Sequence, residues 1–317
     1  MSKAKCVGAN SEVGKKMSRS LSTRRGDIAF PAYIPVTTFG DKYPLDKLIR
    51  PYLPRLASAV MVSYHYAKQM TSENRLRIPM MVDSGGFAAL FSGTEICQQK
   101  GLGILKVMQA DIVEVIDTQK VLSFQEEVAD VAFTLDFPIP PGLDLKEAKR
   151  RQKLTIANAL WAIENRRRRD LPLYACIQAW DVKSAKACAK AYADVGFDGV
   201  AIGGLVPRAR NSEFVHSIVA AVREEIGNLP LHVLGLGQPD MIQALYVAGV
   251  DSVDSSSYVR YAADGRLWGT SSRRLADPTP TDRLHLALQN LAIATQKTLP
   301  LSASEVLLST VGAAYKE

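Results

Sequence analysis

The chain has 317 residues, 47% of them apolar and 22% charged, with a formal net charge of +7. Its length suits one large α/β domain. The lack of repeats, low-complexity tracts, a signal-peptide core or any apolar run of bilayer length argues against disordered, secreted and membrane-spanning classes. The four cysteines, Cys6, Cys97, Cys176 and Cys188, form no CxxC or CxC pair, which argues against a disulfide framework or a thiolate zinc site and predicts a reducing, cytoplasmic setting.

The basic stretch 1–18 reads as an N-terminal extension. Beyond it, short apolar runs alternate with amphipathic segments. The runs predicted as strands are AYIPV (32–36), AVMVS (59–63), MMVDS (80–84), VAFTLD (131–136), LYACIQ (173–178), GVAIGG (199–204), HVLGLG (232–237) and DSVDS (251–255). Between several of them lie LKEAKRRQKLTIANALWAIENRRRR, SAKACAKAYADVG and DMIQALYVAG, whose apolar residues recur at the i, i+3, i+4 spacing of surface helices. The connection from 88 to 130 is too long for an ordinary loop and reads as an insertion or lid. Residues 275–317 read as a Pro-containing linker and then helices that pack on the domain. Eight strands, mostly uninterrupted apolar runs, read as buried on both faces. That favours a closed parallel (β/α)8 TIM barrel over residues 19–274, as a single domain, rather than an open doubly wound sheet.

In such a barrel the functional groups project from the C-terminal strand ends. The predicted strands end in Ser63, Asp83, Asp136, Gln178, Gly203 with Gly204, Gly235, and Asp254. Each has an ordinary reading: Asp-Ser-Gly-Gly at 83–86 can be a turn, Asp136 a cap before the prolines of FPIPP, and the glycines packing devices. Together they set three carboxylates, one amide and two glycine surfaces around one mouth. Gln178 supplies both a donor and an acceptor, as reading a nucleobase edge requires, and Phe87 in VDSGGF can offer a ring face. Two facing carboxylates, one nucleophile and one acid/base, suit displacement at a sugar anomeric carbon. No His or Cys cluster has metal-ligand spacing and GLGQP is too short for a dinucleotide fingerprint, so neither metal nor cofactor is expected. His65 and His232 read as structural. The positive charge favours a polyanionic partner, and the run Arg166, Arg167, Arg168, Arg169 reads either as a solvated cationic helix end or as a phosphate contact.

The stretches RRGDIAFPAYIPVTT, SYHYAKQM, VDSGGF, the Asp136 and Gln178 strand ends, GFDGVAIGGL, HVLGLGQP and GVDSVDSSSYVR stand in an order and spacing that resemble the tRNA-guanine transglycosylase superfamily over roughly residues 19–274. The resemblance implies exchange of a guanine in a polynucleotide for a 7-deazaguanine free base. On it, Asp254 resembles the nucleophile that attacks the sugar C1′ and Asp83 the general acid/base. Asp136 matches the carboxylate that reads the base, and Gln178, Gly203, Gly204 and Leu205 match contacts to its other edge. Leu234 and Gly235 resemble the pocket wall, Phe87 the stacking ring, and Ser63 joins them at the substrate mouth. Arg260 matches an arginine of the catalytic loop. The basic surface, with Arg166, Arg167, Arg208 and Arg210, is expected to grip the nucleic-acid backbone.

Three departures bear on the substrate. The usual DSGGFQ reads DSGGFA, so Ala88 lacks an amide that would contact the base; Ala179 and Trp180 replace glycines after Gln178; and the CxCxxC plus His zinc subdomain of the tRNA enzymes is missing, with Gln289 near the place of the histidine. A zinc-free member looks more like the 7-deazaguanine DNA transglycosylases of phage and bacterial DNA-modification systems. The expected substrate is therefore DNA accepting 7-cyano-7-deazaguanine or a derivative, in a bacterial cell or phage-infected host, with helper proteins as further partners. The alternatives are a tRNA-modifying relative and a non-catalytic nucleic-acid-binding barrel.

Overall fold

The computed structural model describes residues 19–109, 112–268 and 274–297. Eight parallel strands form its centre: β1 (Ala32–Pro35), β2 (Val60–Ser63), β3 (Met80–Asp83), β4 (Val131–Phe133), β5 (Leu173–Ile177), β6 (Gly199–Ile202), β7 (Leu231–Val233) and β8 (Ser252–Ser255). From β2 to β8 each strand pairs with the next, and β8 returns to pair with β1. A parallel bridge between Val36 and Met61, with the Thr37 N–H donating to the Met61 carbonyl at 2.9 Å, joins β1 to β2 and completes the ring. This is the expected (β/α)8 barrel.

The strands are mostly apolar because both of their faces are buried; the polar residues His232, Ser252, Asp254 and Ser255 of β7 and β8 are buried as well. Ile34, Met61, Met81, Phe133, Tyr174 and Cys176 fill the interior, whereas Val62, Val82, Ala175, Ile177 and Val200 face the surrounding helices. The interior is thus packed with side chains. A hairpin of Ser20–Thr23 and Gly26–Ala29 precedes β1, and its Ile28, with Phe30, enters the inner cluster from the end where the strands begin. The opposite end is left for the loops.

Polar caps start the helices. Asp144 accepts from the backbone N–H groups of Lys146 and Glu147 at the head of Leu145–Asn165, Asp181 forms a capping box with Ser184, and Asn211 accepts from Phe214. The helix Pro280–Thr295 opens with a capping box of Thr279 and Asp282. Its buried Asn290 accepts from the Trp268 N–H and donates to the carbonyls of Tyr258 and Arg266, which ties the helix to the barrel. Residues 1–18 and the remainder of the predicted C-terminal helices lie outside the described residues.

The predicted insertion after β3 is a three-stranded antiparallel sheet, Thr94–Gln99, Leu102–Gln109 and Ile112–Asp117. Its first turn is the two-residue Lys100-Gly101, with φ of 50° and 85°, the double left-handed geometry that suits strand twist. Leu105, Val107 and Ile116 pack with Leu135, Phe137 and Leu154 into a second small core. Asn158 both donates to and accepts from Gly103. The sheet therefore stands beside the mouth, anchored to Leu145–Asn165.

Candidate active site

Side chains alternate along a strand, so inward-facing residues are two apart. Met61, Met81, Cys176 and Ala201 face inward; two residues further on, at the C-terminal ends, come Ser63, Asp83, Gln178 and Gly203. Asp254 shares the facing of Ser252 on β8. Ser63 and Asp83 are direct cross-strand partners. Asp136 reaches the same rim from a loop, three residues past the end of β4. The three carboxylates picked from the sequence thus converge, although Asp136, Gln178 and the glycines stand just beyond the strands rather than within them.

Asp254 is buried, and its Oδ1 accepts two hydrogen bonds, from the Gly235 N–H at 3.0 Å and from His232 Nε2 at 3.0 Å. Asp83 keeps part of its surface at the mouth while its carboxyl is packed in protein. Burial, and then the neighbouring charges of Asp136 and Asp254, push its pKa up to about 7. Burial also raises Asp136, against the hydrogen bonds that Gln178 and Ser84 donate to its carboxylate. Those bonds are specific: Ser84 Oγ donates to Oδ1 at 3.0 Å and Gln178 Nε2 to Oδ2 at 2.6 Å. Gln178 is held in turn, since its Oε1 accepts from the Ile139 N–H at 3.2 Å. Among the described residues, no lysine or arginine forms an ion pair with any of the three carboxylates; His232 alone contacts one.

Close backbone approach at the rim demands glycine. A Cβ at Gly86 would overlap the Asp136 backbone, and one at Gly203 would overlap the Gln178 amide. Gly204 and Gly235 have φ of 72° and 77°, and a Cβ at Gly235 would come within 2.7 Å of Val206. Gly235, expected as pocket wall, donates its N–H to Asp254. Leu234 is half-buried beside it, and Leu205 is buried. Phe87 is 59% exposed, edge-on to Phe91 with ring centroids 5.5 Å apart, so its face is open at the mouth. A surface depression lined by Tyr64, Asp117, Lys120, Phe124 and Glu127 contains none of the clustered carboxylates.

The expected nucleic-acid arginines divide. Arg166 and Arg167 are corrected: they follow the helix Leu145–Asn165 and precede β5, which puts them at the end of the barrel where strands begin, opposite the mouth. Arg166 is buried, donating to the Leu171 carbonyl at 2.7 Å and to Asp198 at 2.5 Å, while Arg167 pairs with Glu126 at 3.1 Å. Arg166→Ala is expected to cost about 1–3 kcal/mol of stability by orphaning these acceptors, and to leave the salt dependence of nucleic-acid binding unchanged. Thermal melting and a salt titration of binding would check both. Arg208 is at the mouth, but it braces the rim by donating to the carbonyls of Ile139 and Gly204 at 2.9 and 2.8 Å. Arg210 and Arg260 are exposed on the same side, after β6 and β8 respectively.

The zinc set of the resembled tRNA enzymes does not fit this chain. Cys97 lies in the antiparallel sheet, Cys176 inside the barrel and Cys188 on a helix, and no group of three metal-ligating side chains occurs among the described residues. No helix among them is long and apolar enough to cross a membrane.

The sequence matches known proteins. A family model described as queuine tRNA-ribosyltransferase covers residues 17–302. The chain is 29% identical over 197 residues to the tRNA-guanine(15) transglycosylase of Methanothermobacter thermautotrophicus, covering 61% of this chain and 27% of the relative. It is 33% identical over 198 residues to that of Methanocaldococcus jannaschii, covering 54% and 29%. It is 24% identical over 273 residues to the queuine tRNA-ribosyltransferase of Sphingopyxis alaskensis, covering 78% and 71%. The chain thus spans under a third of the two archaeal relatives. All three relatives are named as tRNA enzymes, so the expected closeness to DNA-modifying enzymes has no counterpart among them. By the extent of the family match, the chain belongs to the queuine tRNA-ribosyltransferase family.

Proposed function

We propose that the protein exchanges a guanine in a nucleic acid for a free base through a glycosyl ester on Asp254. The observation that carries this reading is the contrast between two carboxyls at one mouth: Asp254, with one oxygen held by two N–H donors, and Asp83, whose pKa of about 7 lets it carry or release a proton at neutral pH. In the first half-reaction an Asp254 oxygen bonds to C1′ while the bond from C1′ to guanine breaks, and the Asp83 proton passes to the departing base. In the second, the incoming base gives a proton to Asp83, and its nitrogen displaces the Asp254 carboxylate. Two displacements retain the configuration at C1′.

Asp136 is assigned to base recognition. Each of its oxygens already accepts one hydrogen bond, and each has a second lone pair free for the ring N–H and amino group of guanine. The Gln178 and Ser84 contacts hold it ready for that role. Asp136→Ala is expected to raise KM for the free base about 10 to 100-fold, with a smaller change in KM for the nucleic acid. Steady-state exchange kinetics with each substrate varied would check it.

For the nucleic acid, we read tRNA as the substrate, supported by the names of the relatives. DNA is the second reading, favoured by the missing zinc set and by Ala88 in place of a base-contacting amide. Labelled guanine offered with unmodified tRNA and with DNA, side by side, decides between them. Exchange into neither, with no denaturation-resistant adduct on either, would overturn the transglycosylase reading.

A further inference from the structure

We propose that His232, backed by Ser252, is a positioning residue that dictates which oxygen of Asp254 attacks the sugar. The inference rests on Asp254 being the nucleophile. His232 is fully buried inside the barrel, one layer beneath the rim, and is the cross-strand partner of Ser252. Its Nε2 is 3.0 Å from Asp254 Oδ1 and its Nδ1 is 2.8 Å from Ser252 Oγ. An ionised carboxylate can only accept, so Nε2 carries the hydrogen, and in the neutral ring the Ser252 hydroxyl donates to Nδ1. The Phe133 ring meets the imidazole edge-on, with centroids 5.3 Å apart, and fixes its plane from the side. Every polar atom of this buried ring is engaged, and one of them is engaged with the proposed nucleophile.

The Gly235 N–H donates to the same oxygen, Oδ1, at 3.0 Å, whereas Oδ2 accepts no hydrogen bond from the described residues. The two oxygens are therefore chemically distinct. Oδ2 keeps its lone pairs for attack. As Oδ2 bonds to C1′, Oδ1 becomes the carbonyl oxygen of the ester and keeps both donors. When the incoming base breaks the bond from Oδ2 to C1′, negative charge returns to the carboxylate and spreads to Oδ1, where two fixed N–H groups meet it. They act as the donors of an oxyanion hole act, here on a leaving carboxylate. Because they favour the carboxylate over the ester, losing His232 should slow release of the sugar from Asp254 more than its capture.

The test compares His232→Leu, which removes the donor, with His232→Gln, whose side-chain amide can still donate an N–H. Each is assayed for labelled-guanine exchange, KM for the nucleic acid, and the fraction trapped as adduct on a denaturing gel. For His232→Leu we expect kcat to fall roughly 100-fold, with KM for the nucleic acid within about two-fold of wild type and a larger trapped fraction. His232→Gln should recover most of kcat. Wild-type kcat in His232→Leu, or equal losses in the Leu and Gln variants, would overturn the proposal. If His232→Leu does not fold, Ser252→Ala carries the test: a kcat several-fold lower at unchanged KM supports the proposal and an unchanged kcat overturns it. Asp254→Asn separates the two levels of the argument. Adduct formation by that variant removes the nucleophile assignment itself, whereas a negative His232 result with an adduct-free Asp254→Asn removes only the positioning role.

Discussion

Asp254→Asn is expected to lower guanine exchange on the order of 10,000-fold or more and to abolish the covalent adduct, as removal of a covalent nucleophile does elsewhere. The substitution suits the purpose because asparagine keeps the shape of the side chain and an Oδ1 able to accept from Gly235 and His232. Folding should therefore be little affected, and the loss can be assigned to chemistry: an amide oxygen is a poor nucleophile. Asp254→Ala would be harder to interpret, since it leaves the buried His232 Nε2 and the Gly235 N–H without an acceptor, at a cost of about 1–3 kcal/mol each. Exchange of labelled guanine, with melting curves of both variants, makes the comparison. Wild-type exchange by Asp254→Asn would show that another group attacks C1′.

Asp83→Asn should reduce exchange by about 100 to 10,000-fold and also erase a pH dependence. The resting enzyme must hold a proton on Asp83 to give to the departing guanine. With a pKa of about 7, that proton is lost as pH rises, so kcat/KM for the nucleic acid should fall above pH 7 in the wild type. The residual activity of Asp83→Asn should lack that arm. Asp136 is the larger of the two charges raising this pKa, so Asp136→Asn should move the inflection to lower pH. Stability carries the same signature with its own sign. Between the ordinary value of 3.8 and about 7, the folded protein binds the Asp83 proton and the unfolded chain does not. Folding stability contributed by this group therefore falls as pH rises through that window, and Asp83→Asn should flatten the trend. A flat wild-type pH–rate profile between pH 6 and 8 would contradict the acid/base assignment.

Much of this was legible in the sequence because barrel strands carry a local signal. A run apolar on every residue states that both faces are buried, and a polar residue closing such a run has few places to be except the rim. Ser63, Asp83 and Asp254 follow that logic directly. Asp136 followed it less closely: the strand stops at Phe133, and Asp136 reaches the mouth through a loop pinned by Ser84 and Gln178. For Arg166 and Arg167 the sequence left a solvated helix end and a phosphate contact both open, because charge in a sequence has no address. The helix before β5 delivers them to the far end of the barrel, where Arg166 and Arg167 meet Asp198 and Glu126.

His232 marks the boundary between the two kinds of information. As a residue type in a strand it reads as structural; its pairing with Ser252 comes from the register between β7 and β8. The eight-strand barrel, the rim carboxylates and the glycines that let the loops approach were determined by the sequence itself, through apolar runs closed by polar residues and backbone freedom at single positions. The bonding of His232 and Gly235 to one oxygen of Asp254, the pKa of Asp83 and the end of the barrel that each arginine occupies were decided only by tertiary structure. Those properties depend on the register between strands and on distances across the ring, which no local pattern encodes.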